Sequence, residues 1–280
     1  MTYHILNGEL LPAATAAIGL NDLALLRGYG VFDFFSVHRG RPVFLEDHLQ
    51  RFQRSAALYE LSLPVSVEAL REQIFKLIRA CDMQEGGISL ILTGGYAEDG
   101  FHADTPPNLL ILSRPPVPRF ADKQRVETPI KLITHRFVRE LPEAKGLNYA
   151  RALRSQAAMK AAGAGEILYT DGQRVLETYR SNVFLVMPSG KLCTAGSDVL
   201  QGITRKYVLQ LATEMGMETE TGDIPLSHLA KAKEVFLTGS GKGVFPVSEV
   251  DERLIGDGRP GTVWRKLKEA MDAFIEGLYE

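Results

Sequence analysis

One lysine, Lys145, stands in PEAKGLNYARALRS, residues 142–155, between a Pro-Glu-Ala approach and a glycine. It precedes the run Asn148 to Ala161, whose Ala, Leu, Arg and Met content reads as helix, so the amine belongs to a loop at the mouth of that element. Taken alone it is an ordinary solvated cation, and its neighbours decide whether it does chemistry. Two other stretches suit an anion. GITRKYVLQLATEMG starts a helix at Gly202-Ile203-Thr204, where unpaired N–H groups and the positive end of the helix dipole favour a phosphate. GSGKG, residues 239–243, offers a glycine-rich turn with a hydroxyl at Ser240.

The elements that must position these residues fall into two halves. In the first, HILNGELLP and RGRPVFL read as turn-punctuated strands with a hairpin signal at Asn7-Gly8, and Gly30 to Phe35 reads as a buried strand. Residues 46–60 and 66–80 have helical spacing, and ISLILTGG and NLLILSRP read as two apolar strands. SRPPVPRFADK, residues 113–123, carries three prolines and suits neither helix nor central strand, which makes it the domain boundary. Beyond it come the strand IKLITHRF, the lysine loop, its helix, and hairpins turning at Asp171-Gly172 and Ser189-Gly190. A helix from Thr204, the strand AKEVFLTGSG and a C-terminal helix complete this strand-rich half.

At 280 residues the chain has ample length for two domains, and a net charge of −2 gives no general attraction to nucleic acid or anionic membrane. The expected partner is a small molecule. Cys81 and Cys193 are far apart in a chain that opens MTYHILNGEL without a secretory pattern, so both read as reduced thiols of a cytoplasmic protein. No apolar run approaches the roughly 20 residues that cross a bilayer. The six histidines, at 4, 38, 48, 102, 135 and 228, lack the close pairing of a metal site, and His48 reads as a packing or hydrogen-bonding residue on a helix face.

In order, the chain presents HLQRFQRSA, KGLNYA, ETYRSNVFLV, LQGITR and FLTGSGKGVFPV. This succession resembles the class IV, or fold-type IV, aminotransferases, which use pyridoxal 5′-phosphate. The resemblance runs from the first hairpin to FPVSEV, and its most specific element is Lys145 together with Glu177 and Asn182 in ETYRSN. It implies an α+β or α/β fold of two domains: a smaller N-terminal α/β domain over 1–118, a linker over 119–130, and a C-terminal pseudo-barrel with flanking helices over 131–280. The cofactor is expected between them, in a homodimer.

The resemblance also implies roles. Lys145 is the lysine that forms a Schiff base with the cofactor and then carries a proton between the substrate α-carbon and the cofactor carbonyl carbon. Glu177 is the carboxylate that keeps the pyridine nitrogen protonated, with Asn182 bracing its loop. Arg51, Ile203, Thr204 and Ser240 match the phosphate-binding positions, and Tyr149 a donor to the ring oxygen. Arg54 and Arg205 read as solvated or structural.

Substrate recognition departs from the pattern. D-amino acid transaminases carry an Arg-x-His pair after the strand that here is ISLILTGG, but this loop reads YAEDGFHADTPP, with His102 and no arginine. Between Glu177 and Asn182 stand Thr178, Tyr179, Arg180 and Ser181, where small residues are usual. Arg180, with Arg27 on the N-terminal segment that in this family reaches the neighbouring subunit's site, is expected to grip the substrate carboxylate through paired hydrogen bonds. The leading expectation is a D-amino acid transaminase with a 2-oxo acid acceptor. A branched-chain L-amino acid aminotransferase comes next, and aminodeoxychorismate lyase third. A catalytically silent binding protein of the same fold is disfavoured because Lys145, Glu177 and Arg51 are all present.

Overall fold

The computed structural model describes residues 2–117, 122 and 127–279. They gather into two compact units, Met1–Phe120 with Ala144–Asn148, and Ala121–Glu143 with Tyr149–Glu280. Most of the expected linker between 119 and 126 lies outside the described residues.

In the first unit, β1 (Tyr3–Leu6), β2 (Glu9–Pro12), β3 (Gly30–His38), β4 (Arg41–Pro42), β5 (Gly86–Thr93) and β6 (Leu109–Arg114) alternate with α1 (Leu23–Arg27), α2 (Leu45–Leu58) and α3 (Val67–Ala80). Among the described residues the strands make one sheet in the order β2-β1-β6-β5-β3-β4, and every pairing in it is antiparallel. This is therefore the α+β form of the expected fold. Asn7 and Gly8 take φ of 49° and 88°, the left-handed pair that a two-residue hairpin turn demands. α2 buries Leu45, Leu49, Phe52 and Ala56, spaced for one helical face, into a core shared with Val31 and Phe35 of β3 and Leu70, Ile74 and Leu77 of α3. The Ser66 hydroxyl caps α3 by accepting from the Ala69 N–H at 3.2 Å.

Residues 145–147 belong to this unit, although the sequence reading gave them to the C-terminal domain. Gly146 bridges Val31 as a short antiparallel partner on the free edge of β3. The Phe32 N–H donates to the Lys145 carbonyl at 2.8 Å, and the Leu147 N–H to the Gly30 carbonyl at 3.0 Å. Local sequence carries no sign of such distant pairing.

The second unit contains β7 (Ile130–Arg136), α4 (Ala150–Arg154), α5 (Gln156–Ala162), β8 (Glu166–Thr170), β9 (Arg174–Thr178), β10 (Asn182–Val186), β11 (Leu192–Ala195) and α6 (Ile203–Glu214). It continues through β12 (Thr219–Gly222), β13 (Ile224–Pro225), β14 (Glu234–Gly239), β15 (Gly243–Val250), β16 (Arg253–Leu254) and α7 (Thr262–Gly277). Among the described residues β10, β14, β15, β7, β8 and β9 follow one another and close into a ring where Asn182 of β10 meets Glu177 of β9. β7 runs parallel to both its neighbours, β8 and β15. Leu132, Leu168, Val183, Leu185, Leu237, Phe245 and Val247 contribute to its apolar core. α7 buries Trp264, Leu267, Met271 and Ile275, and the Glu234 carboxylate caps it by accepting from the N–H groups of Val263 at 3.0 Å and Trp264 at 2.8 Å.

The single helix expected after Lys145 is two. It breaks at Ser155, whose hydroxyl donates to the Arg151 carbonyl at 3.0 Å, a back-bond that bends helices. No helix among the described residues is long and apolar enough to cross a membrane.

Candidate active site

In the first unit the lysine is held from both sides of its backbone. Its N–H donates to the buried Ser55 hydroxyl of α2 at 3.0 Å, its carbonyl accepts from Phe32, and its Nζ lies 4.3 Å from the centre of the Phe32 ring, within cation–π range. Gly146 suits this close approach, since a Cβ there would stand 2.1 Å from the Tyr59 hydroxyl oxygen and that ring would have to shift.

Arg51 lies on the same helix as Ser55 but is already engaged. Its Nε donates to Asp33 Oδ2 at 2.8 Å and its Nη2 to Oδ1 at 2.7 Å. Oδ1 also accepts from the Phe34 N–H and lies 2.7 Å from His48 Nδ1. Burial alone would raise the fully buried Asp33 carboxyl, but Arg51 and His48 together hold it well below the carboxylate range. Burial pushes the His48 imidazole down, with Asp33 opposing and Arg51 and Lys145 reinforcing, so the ring is neutral and its Nδ1–H donates to the carboxylate. Arg51 thus keeps only Nη1 without a partner among the described residues for a phosphate. Arg54 is exposed.

In the second unit Glu177 is the next-to-last residue of β9, buried, with both oxygens occupied. Oε1 accepts from Arg139 Nε at 2.7 Å and Oε2 from the Leu200 N–H at 3.0 Å. Asn182, opposite Glu177 in the strand pair, donates to the Leu200 carbonyl at 2.7 Å and so braces the same loop. Gly202 opens α6 without a side-chain cap, and a Cβ on it would lie 1.9 Å from Asn182 Oδ1. The first-turn residues Ile203 and Thr204 are buried.

Of its two readings, solvated or structural, Arg205 takes the second and is buried. It donates to Gln201 at 2.9 Å and to the Ala195 carbonyl at 2.8 Å, and burial lowers its pKa while Glu177 opposes. Its Nε and the hydroxyl of Thr238, which pairs with Asn182 across β10 and β14, are buried without a hydrogen-bond partner among the described residues. Two orphaned donors and an uncapped helix start, which suit a phosphate, and a carboxylate acceptor, which suits a protonated pyridine nitrogen, lie in one unit. Ser240 is half-buried in the β14–β15 turn, and Tyr149 precedes α4.

Arg180 donates through Nε to Oε1 of the fully buried Glu166 at 2.9 Å, and its guanidinium lies over the Tyr179 ring. Lys242 reaches the same oxygen at 3.3 Å, and the Thr178 hydroxyl donates to Oε2 at 2.5 Å. The Arg180 side chain is 47% exposed, and its two terminal nitrogens have no partner among the described residues. Arg27 ends α1 in the other unit, exposed, donating to the Leu26 carbonyl. His102 is tied to its own loop: Asp99 accepts from the N–H groups of Phe101 and His102 and contacts the His102 ring at 2.6 Å. The ring contact first, then these amides, hold the Asp99 carboxyl down to about 2.

Sequence reading passed over Asp33 and Arg139. The signal for Asp33 was a carboxylate inside the apolar run GVFDFF. Arg139 gave none, since its partner lies 38 residues away.

The amino-transferase class IV family model matches residues 30–250. A Methanocaldococcus jannaschii protein described as a branched-chain-amino-acid aminotransferase is 30% identical over 275 residues, spanning 94% of this chain and 93% of its own length. The D-alanine aminotransferase of Staphylococcus haemolyticus is 28% identical, spanning 99% of both. Among solved structures, a T.th. branched-chain amino acid aminotransferase with pyridoxamine 5′-phosphate superposes with a TM-score of 0.88 at 27% identity, over 99% of this chain and 94% of the other. The Escherichia coli branched-chain enzyme gives 0.89 at 26% identity, over 99% and 95%. The chain belongs to the class IV aminotransferases, whose cofactor is pyridoxal 5′-phosphate.

Proposed function

We propose that this aminotransferase moves an amino group between a D-amino acid and a 2-oxo acid, as a cytoplasmic homodimer. The observation that carries this reading is Arg180: a guanidinium anchored through Nε, with two terminal nitrogens left to donate end-on to a carboxylate, three residues after Glu177. Arg27 is its partner in that grip, and the two stand in for the Arg-x-His pair that YAEDGFHADTPP lacks. Relatives named D-alanine aminotransferases, aligned over nearly the whole chain, support the hand.

When bound, pyridoxal phosphate supplies the electron sink for the bond broken at the substrate α-carbon. Lys145 Nζ holds the cofactor covalently and, once displaced, moves the proton to and from that carbon. Glu177 accepts the hydrogen bond of the pyridine nitrogen. Arg51 Nη1, the amides of Ile203 and Thr204, and Ser240 bind the phosphate, and Tyr149 donates to the ring oxygen. The apolar surface of Leu20, Leu25 and Phe101, each more than 60% exposed in the unit that bears Arg27, supports the dimer.

Branched-chain L-amino acid transamination is the second reading, favoured by the fit to the two solved branched-chain enzymes. Mixing the loaded protein with a panel of D- and L-amino acids and following the cofactor absorbance separates the two. Conversion by D-alanine and D-glutamate but not L-leucine is expected, and the reverse pattern overturns the assignment.

A further inference from the structure

We infer that Arg139 is a positioning residue for transamination, aiming the Glu177 carboxylate by tying it to the Pro142 carbonyl on the chain's approach to Lys145. The inference rests on the reading that Glu177 faces the pyridine nitrogen. A guanidinium is a rigid plane, and here two nitrogens of one plane go to different partners: Nε to Glu177 Oε1 at 2.7 Å, and Nη2 to the carbonyl oxygen of Pro142. Fixing one partner therefore fixes the direction of the other. The second carboxylate oxygen is fixed independently by the Leu200 N–H at 3.0 Å, so Glu177 cannot turn about its terminal bond without losing a charge-assisted contact.

Charge compensation alone would not need this arrangement. Arg205 already feels the Glu177 charge, and any cation at the Arg139 position would add to it. What only the planar fork supplies is the simultaneous hold on a side chain and on the backbone three residues before Lys145. The side chains of Arg139 and Glu177 are 22% and 6% exposed, which shields the contact from competing water.

Arg139→Lys keeps the charge and loses the fork, so it separates the two roles. Measured against Glu177→Gln and the double variant, each loaded with pyridoxal phosphate, Arg139→Lys is expected to lower kcat roughly 10- to 100-fold with KM nearly unchanged. It is also expected to shift the visible cofactor band in the direction Glu177→Gln shifts it, with the unfolding midpoint of the apoprotein kept. Because Arg139 acts through Glu177, the double variant should be no slower than Glu177→Gln alone. Wild-type band and kcat in Arg139→Lys, or losses that multiply in the double variant, would overturn the inference while leaving the role of Glu177 intact. A Glu177→Gln enzyme with wild-type band and turnover removes the reading beneath it as well.

Discussion

Two carboxylates with no exposed surface, Asp33 in one unit and Glu166 in the other, each hold an arginine, and the two pairs are built differently. Asp33 takes both Nε and Nη2 of an arginine whose side chain is 9% exposed, with His48 and a backbone amide filling the remaining positions. Glu166 takes only Nε of an arginine that is 47% exposed, and shares its charge with Lys242. The first pair is closed and serves to lock β3 to α2 beneath the lysine. The second is open: it orients a cation through Nε on a side chain that stays 47% exposed. The same residue types thus yield a brace in one place and a candidate ligand grip in the other, and the difference lies in how many nitrogens the carboxylate occupies.

The largest effect is expected from breaking the closed pair. Asp33→Ala leaves the Arg51 charge buried and unpaired, a change that typically costs about 3–5 kcal/mol, and a denaturant titration of the apoprotein should show it. Arg51→Ala should also lose stability before any cofactor is added. If Arg51→Ala changes only cofactor affinity, the pair is no brace. Acid provides a milder version of the same break. A carboxyl whose folded pKa is depressed contributes stability above its unfolded value, near 3.9, and that contribution is lost as pH falls through the folded value. The acid limb of the wild-type stability curve below about pH 4 should therefore flatten in Asp33→Asn.

The open pair should respond in specificity. Arg180→Ala is expected to remove a charge-assisted contact worth roughly 1.5–3 kcal/mol, about 10- to 150-fold in kcat/KM for D-alanine and D-glutamate. The visible cofactor band should survive, and amines without a carboxylate should lose little. Unchanged processing of both D-amino acids would make Arg180 structural, and the carboxylate would then have to be gripped at Arg27 or the 96–107 loop.

What was legible in the sequence follows the same division between local and distant. The Asn7-Gly8 turn, the α2 face of Leu49, Phe52 and Ala56, and the hairpins at Asp171 and Ser189 are set by residues a few positions apart, and the structure has them. The roles proposed for the lysine and the Glu177–Asn182 loop come from family resemblance alone. The Lys145 to Ser55 bond spans 90 residues, and the parallel pairings of β7 join strands with no adjacent turn to announce them. Arg205 read as either solvated or structural, and nothing near it decides between the two by showing that β11 passes behind, offering the Ala195 carbonyl. Charge type was visible, but the number of bonds each charge makes was not.

The smallest effect tests whether the open pair is open. Lys242 stands 3.3 Å from Glu166 Oε1 with its side chain 28% exposed, and removing it leaves that carboxylate with Arg180 Nε and the Thr178 hydroxyl. Lys242→Met should accordingly cost less than about 1 kcal/mol, in the range of partly exposed ion pairs, and move KM for D-amino acids by no more than a few-fold. The alternative gives a different number. If Lys242 were the principal counterion, its loss would leave a buried charge half-compensated, and Arg180 would have to swing further onto Glu166 with its terminal nitrogens. Stability would then fall by several kcal/mol, and carboxylate recognition would fall with it, because the nitrogens proposed to grip substrate would be drawn into the pair. Denaturant midpoints and KM measured on one preparation of Lys242→Met distinguish these outcomes. A joint loss would mean that the second pair is closed by a lysine in the way the first is closed by His48.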